Sequence, residues 1–421
     1  MSSRISEATP ADAEPVASTR RPLRILIAID FLSYRSGAEL FVRDLAIGLR
    51  HRGHYVTVYS PQIGDIGDEL VAAGVACRRD LVPGADAPDL IIGNTRRATA
   101  FALSAFARVP VLSVCHDAVH RHGEPPRFTR IHRHIAVDAY TRERLLASGI
   151  CAERICMIQN GVDVRRFVPR APLPARPRRA AIFSNYATDG DETAAIASAC
   201  ASRGIALDVV GKESGNQARE PENVLAQYDL VFAKARCALE AMAVGCAVIL
   251  ANEGMGMGEM VQFSQVAELR LWNFGRRLLR TPISSEAIGA QIDRYDSLDA
   301  ARVSALIRAN ATLDATVDAF AALADATFDR SAYRPPTEPL EWHELTAYAS
   351  EELAHGLSAQ ECVWLMQRLQ ASAEESVVGT TALARDSQHI VAAMRASWSW
   401  RLTAPLRAIG ASLGGRRADA K

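Results

Sequence analysis

The feature that most constrains this chain is a rhythm that runs twice. Short apolar runs alternate with turns and amphipathic helical stretches from Leu23 to about residue 168, stop, and resume at Ala180. In the first half the runs are LRILIAID (23–30), YVTVYS (55–60), PDLIIGN (88–94), VPVLSVCH (109–116) and RHIAVD (133–138). In the second they are AAIFSN (180–185), IALDVVG (205–211), DLVFA (229–233) and CAVILAN (246–252). Continuous apolar, β-branched runs of this length suit strands buried on both faces of a parallel sheet. The helical stretches between them supply the crossovers such a sheet requires. In the first of these, Leu40, Phe41, Leu45 and Leu49 recur at helical spacing and Gly53 closes the segment.

Between the two halves, Val168 to Arg179 reads VPRAPLPARPRR, with four prolines among arginines and hardly an apolar anchor. Such a stretch neither packs nor continues a helix, so it reads as a linker. The expected organisation is a disordered segment over 1–22, a Rossmann-like domain over 23–169, a linker over 170–179 and a second Rossmann-like domain over 180–330. Prolines 335, 336 and 339 then break the chain, and 331–421 shows no convincing strand, so a helical extension is expected there.

With 421 residues, 49% hydrophobic and 23% charged, the chain can fill two large cores. Lys plus Arg equals Asp plus Glu at 48 each, so no global field favours nucleic acid. The eight cysteines are scattered without a CxxC pair, which argues for free thiols in a reducing compartment rather than a disulfide framework or zinc site. Residues 1–22 lack the apolar core of a secretory signal, and no uncharged apolar run approaches the roughly twenty residues needed to span a bilayer. A cytoplasmic protein is expected.

Ligands of open α/β sheets bind beyond the carboxyl ends of the strands. One such loop delivers Gly37, Ala38 and Glu39 to the start of a helix, where the glycine lets a ligand approach free N–H groups or merely makes the turn. A second carries His116 and Asp117. His116 either contacts a sugar hydroxyl and the charge developing at the reacting carbon or is a satisfied internal histidine. Five histidines lie between 116 and 134, but interleaved arginines disfavour a metal, leaving a basic acceptor-binding loop or a solvated one. The third and richest region runs from Asp229 to Val261. A buried strand leads to Lys234 and Arg236, a helix with Glu240, another strand, and then Gly254, Gly256 and Gly258. Cations and glycine-loop amides suit a diphosphate, and a carboxylate suits ribose hydroxyls.

These segments resemble the GT-B glycosyltransferases of family 4, the bacterial surface-polysaccharide type. The likeness rests on SGAELFVRDLAIGLRHRGHYVTVYS (36–60), IQNGVDVRRFVP (158–169) and LEAMAVGCAVILAN (239–252), and covers about residues 23–330. It implies α/β GT-B architecture, two Rossmann-like doubly wound domains facing across a cleft, followed here by the helical extension. It also implies a metal-independent, retaining transfer without a cofactor, from a nucleotide-sugar held mainly by the second domain to a glycan or lipid-linked acceptor held by the first. Asn160 and Gly161 would lie at the cleft edge. By position, Glu240 resembles the family's ribose-holding glutamate and His116 the histidine beside the transferred sugar. The family's first donor glutamate falls on Phe232, and the family's Arg and Lys after the first strand of the second domain are replaced by SNYATDGDE (184–192). Asn185, Lys212, Lys234 and Arg236 are then the available donor-side groups.

The tail SWSWRLTAPLR (397–407) resembles a segment of surface-polysaccharide transferases. Ile390, Met394, Trp398, Leu402 and Leu406 recur every four residues, and from Val391 onward six cations face one acid. Residues 390–417 are thus expected either to lie on an anionic membrane at the inner face of the plasma membrane or to pack on the protein itself. Two other functions remain open. One is a degenerate, non-catalytic transferase that binds nucleotide or glycan as a scaffold, and the other is a sugar-nucleotide epimerase or dehydrogenase on the same fold. GMGMG lacks an acidic ribose partner at dinucleotide spacing, which weighs against the last.

Overall fold

The structure, a computed structural model, describes residues 21–82, 87–106 and 109–328, together with Glu344 and Tyr348. All but the last two residues of the disordered segment expected over 1–22, most of the 331–421 extension and the basic tail over 390–417 lie outside the described residues.

The first half forms a seven-stranded sheet in which every pairing is parallel. Its strands are β1 (Arg24–Ala28), β2 (Tyr55–Tyr59), β3 (Ala76–Arg78), β4 (Leu90–Gly93), β5 (Val111–Cys115), β6 (Ile131–Ala136) and β7 (Ile155–Met157). In space they run β3-β2-β1-β4-β5-β6-β7. The order reverses at β1, where helices leave on opposite faces and a crevice opens at the strand ends. One face of this sheet is covered around Leu45, Leu49 and Ile66, the other around Phe101, Leu103 and Phe128.

The second half forms a five-stranded sheet of β8 (Arg179–Phe183), β9 (Ala206–Val210), β10 (Leu230–Ala233), β11 (Ala247–Asn252) and β12 (Gly256–Met260), ordered β9-β8-β10-β11-β12. Four strands are parallel and β12 is antiparallel to β11. Separate cores again cover the two faces, around Leu239 and Phe274 on one and Ile196 and Ile288 on the other. All nine apolar runs read from the sequence are strands. The GMGMG stretch, expected as a loop, supplies β12 instead, because pairing with the edge of β11 satisfies its backbone.

Three helices position the cleft. Helix α1 (Gly37–His51) follows β1 and buries Phe41, Val42, Leu45, Ala46 and Leu49, and Gly53 beyond it has φ +89. Helix α2 (Ala235–Val244) follows β10, is buried from Ala238 onward, and ends at Gly245 with φ +101, the left-handed C-terminal stop that glycine adopts without a Cβ clash. Helix α3 (Leu313–Phe328) was expected to complete the second domain. It instead returns to the first, burying Val317, Phe320 and Ala324 in that core. Gly48 permits this return, since a Cβ there would lie 2.6 Å from Val317 Cγ2.

The chain therefore crosses between the halves twice, and the crossings are stitched together. Val162 N–H donates to Ala311 O at 2.8 Å, and Leu313 N–H donates to Val162 O at 2.8 Å. A Cβ on Gly161 would sit 2.3 Å from Thr312 O, so only glycine admits the close approach. The Thr316 hydroxyl donates to Gln159 O at 2.9 Å. These bonds fix the segment IQNGVD at the base of the cleft.

Candidate functional site

The loops after β1, β4 and β5 face those after β8, β9 and β10 across a cleft with two adjoining chambers. The first measures about 320 Å³ and the second about 160 Å³. Gly37, Tyr186, Lys234 and Arg236 line both, so these residues form the passage between them. A Cβ at Gly37 would meet nothing within 4 Å, so its backbone fronts open space at the start of α1.

The first chamber brings together Gly37, Ala38, His116, Asp117, Asn160 and Gly161 from the predicted set, with Lys234 and Arg236 opposite. His116 ends β5 and meets Phe41 edge-on at a centroid distance of 4.8 Å. Its Nε2 lies 2.9 Å from Asn94 Oδ1. The Asn94 amide nitrogen donates to the carbonyls of Ala28 and Ile92, which fixes Oδ1 as the atom facing the imidazole. A carbonyl oxygen only accepts, so Nε2 carries the proton and Nδ1 is the acceptor. Burial pushes the imidazole pKa down to about 4, with Asp117 pulling weakly the other way. At neutral pH His116 is an uncharged hydrogen-bonding group.

Asp117 organises its own loop. Burial would raise its pKa, but its Oδ1 accepts from the Val119 and His120 backbone at 2.6 and 3.0 Å, and with the His120 ring this holds the carboxyl below its ordinary value. Two members of the histidine-rich segment face the interior rather than a ligand. His134 and Arg130 are 1% and 2% exposed, the guanidinium of Arg130 donating to the carbonyls of Leu103, Phe106 and Val109. Asn160 Oδ1, on the wall of the chamber, is buried with no partner.

The second chamber holds Asn185, Lys234, Arg236 and Glu240 from the predicted set. Glu240 is 4% exposed. Its Oε1 accepts from Arg236 Nε at 2.7 Å, and Arg236 Nη2 reaches Asp44 Oδ2 at 2.6 Å. Arg236 is thus held between a carboxylate of its own helix and one from α1 in the other half. Burial alone would lower the guanidinium pKa, but Asp44 and Glu240 outweigh it and keep the group protonated. Burial raises the Glu240 pKa, opposed by Arg236. For Asp44, Arg236 and Arg43 overcome burial and lower it. Asn185 ends β8 and bridges the halves, its amide donating to Arg35 O at 3.0 Å.

Five predicted residues stay outside both chambers. Glu39 is 6% exposed and takes a hydrogen bond from the Ser36 hydroxyl, closing the loop ahead of α1; burial raises its pKa to about 7. Lys212 is exposed, its ammonium 4.8 Å from the Tyr34 ring centroid. Gly254 spends its N–H on Glu192 Oε2 at 2.7 Å. Gly256 and Gly258 belong to β12, where added Cβ atoms would lie 2.7 Å from Thr281 O and 2.9 Å from Leu278 O. These two glycines serve close backbone packing, and a phosphate loop is not formed.

Several lining residues escaped the sequence reading. Arg35, Arg43 and Arg166 face the second chamber. Asn94 was findable, because it ends an apolar strand exactly as His116 does. Asp44 and Arg43 had a weaker signal, two charges on a helix otherwise apolar on that side.

A parallel, doubly wound sheet in each half, with charged loops converging on a cleft between them, defines a GT-B protein. Residues 35–166 match the model of Glycosyltransferase Family 4. Over those residues the chain is similar to the glycosyltransferases of that family. No curated protein matches it in sequence. Among solved structures, a glycosyltransferase from Rickettsia africae superposes with a TM-score of 0.54 at 13% identity, covering 74% of this chain and 100% of its own. Anabaena HepE in complex with UDP and glucose gives 0.54 at 17%, over 72% of this chain and 99% of that one. HepE in complex with UDP-glucose gives 0.54 at 18%, over 72% and 100%. At these identities the likeness is one of fold. Among the described residues no helix is long and apolar enough to cross a membrane.

Proposed function

We propose that the cleft transfers a sugar from a nucleotide-sugar donor, with the nucleoside in the second chamber and the sugar and acceptor in the first. One observation carries this reading: the second chamber is lined by five cations, Arg35, Arg43, Arg166, Lys234 and Arg236, and by a single carboxylate, Glu240. A diphosphate needs such cations, and a ribose needs an acceptor such as Glu240. The passage formed by Gly37, Lys234 and Arg236 joins the two chambers, which is where a pyrophosphate between nucleoside and sugar would lie. HepE, which shares this fold, forms complexes with UDP and with UDP-glucose, which supports a nucleotide-sugar as the donor.

In the transfer, the bond from the anomeric carbon to the terminal phosphate oxygen breaks, a bond from that carbon to an acceptor hydroxyl oxygen forms, and the hydroxyl proton passes to the departing diphosphate, on which negative charge accumulates. Lys234 and Arg236 stabilise that charge, so the reaction runs on side-chain cations without a bound metal or other cofactor. Neutral His116, fixed by Asn94, accepts a hydrogen bond from a hydroxyl of the sugar or acceptor through Nδ1. A retaining outcome and a glycan or lipid-linked acceptor of a surface polysaccharide complete the proposal on the strength of the family resemblance. Cytoplasmic residence and contact of residues 390–417 with anionic lipid belong to the same proposal. Deleting residues from 390 onward should then reduce sedimentation with anionic vesicles at low salt while leaving nucleotide binding intact.

The direct test is a panel of UDP-, GDP-, dTDP- and CMP-sugars, followed by thermal shift and donor turnover. Stabilisation with turnover for one base supports the transferase. Stabilisation without turnover, with any acceptor, supports a nucleotide-binding scaffold. The scaffold draws its support from Arg236 being already matched by Asp44 and Glu240. No stabilisation by any nucleotide removes both readings.

A further inference from the structure

Among the described residues only three non-glycine residues adopt positive φ: Ala235 (49°), Asn273 (53°) and Phe274 (49°). All three meet at one place. Ala235 N–H donates to Phe274 O at 2.8 Å, clasping the start of α2 to the turn at 273–275. Costly left-handed backbone concentrated at a cleft is strain held in place by its surroundings, and it fixes what the flanking side chains face. Here the flanking side chains are Lys234 and Arg276, both on the wall of the first chamber.

These two cations lack the partners that the chamber's other charges have. Asp44 is matched by Arg43 and Arg236, and Glu124 by Arg96. Asp117 is taken by its own loop, and Asp138 caps the helix that follows it. Lys234 has the ring of Tyr186 at 5.4 Å, and among the described residues neither it nor Arg276 forms an ion pair. Burial, with a smaller push from Arg276, lowers the Lys234 pKa, and the opposing pull of Cys237 and Asp117 does not make up for it. The second half contributes no carboxylate to this chamber. The donor's diphosphate would meet Lys234 in the passage, but a neutral sugar would leave Arg276, an exposed cation on the wall of the chamber, without a counter-ion. Arg276 lines the first chamber and not the second, so the anion it meets lies beyond the diphosphate, on the sugar side.

We propose that the first chamber holds a sugar bearing a carboxylate, a uronic acid, with Lys234 and Arg276 as the residues that select it. This rests on the nucleotide-sugar reading above and adds the class of sugar. A planar guanidinium and an ammonium placed side by side suit a carboxylate through charge-assisted hydrogen bonds.

The test is calorimetric titration of the full-length protein in two arms. The donor arm compares UDP-glucuronate with UDP-glucose and GDP-mannuronate with GDP-mannose. The acceptor arm compares methyl glucuronide with methyl glucoside in the presence of UDP or GDP. In one arm the carboxylated sugar should bind at least about tenfold more tightly, the scale of one charge-assisted hydrogen bond. In Arg276→Gln that preference should collapse while affinity for the nucleoside diphosphate is retained, which also shows that the variant is folded. Lys234→Met should reduce the preference as well. No preference in either arm, with nucleoside diphosphate still bound, overturns the proposal and leaves the transferase reading standing. A preference that survives Arg276→Gln overturns the assignment of that residue. Failure to bind any nucleoside diphosphate overturns both.

Discussion

Asp44 on α1 and Arg236 on α2 form an ion pair of 2.6 Å between the two halves of the molecule, on the wall of the first chamber. Their side chains are 10% and 16% exposed, and Glu240, at 6%, holds the other edge of the same guanidinium. The groups proposed to bind donor are therefore part of what holds the halves together.

Breaking this pair from one side strands a buried charge. Asp44→Asn should destabilise the protein by on the order of 3–5 kcal/mol, because Arg236 loses a desolvated partner. Asp44→Asn combined with Arg236→Gln should cost less than the two single changes added together. Urea unfolding of the four proteins measures this coupling, and additive costs would show that the contact does not form. The Asp44 pKa is depressed on folding, so its contribution is present above the unfolded value and disappears as pH falls through the folded one.

Glu240→Ala should weaken binding of the preferred nucleoside diphosphate by about 1.5–3 kcal/mol, the scale for a hydrogen bond to a charged group. Glu240→Gln should fall between Ala and wild type, since an amide keeps one acceptor oxygen. Lys234→Ala should reduce affinity for the diphosphate more than for the bare nucleoside. Calorimetry with both ligands separates these effects, and unchanged affinity in Glu240→Ala would sink the ribose assignment.

His116→Gln should lower kcat by about 10²-fold, within the range for a positioned proton-transfer or hydrogen-bonding histidine. Because burial brings its pKa to about 4, kcat/KM of the wild type should show no histidine step between pH 6 and 7. A step there that vanishes in His116→Gln would mean that the imidazole is charged when the enzyme works.

Glu39 offers a test of stability alone. Its folded pKa of about 7 exceeds the ordinary 4.5, so folding favours the protonated carboxyl. The corresponding stability is full below pH 4.5 and is lost as pH rises through 7. Glu39→Gln should therefore gain on wild type between pH 5 and 8, by up to about 3 kcal/mol. Parallel stability curves for the two proteins would refute the buried, proton-holding role.

The two α/β halves, their strands, the loops that carry His116 and Lys234, and the helix that carries Arg236 and Glu240 were all readable in the chain. Burial on both faces of a strand, or on one face of a helix, leaves a local pattern of apolar residues, and strand ends mark where ligands go. Gly256 and Gly258 misled because the same composition serves a phosphate loop or a strand pressed against backbone, and only the neighbour at Thr281 decides which. Glu39 misled likewise: an acidic residue one turn into a helix reads as exposed until Ser36 is seen to cover it. The return of α3 to the first core, and the bond between Asp44 and Arg236 across 192 residues of sequence, had no local trace. Periodicity records which side of an element is buried; which distant charge meets it is set by how the two halves are docked, and that belongs to the tertiary structure.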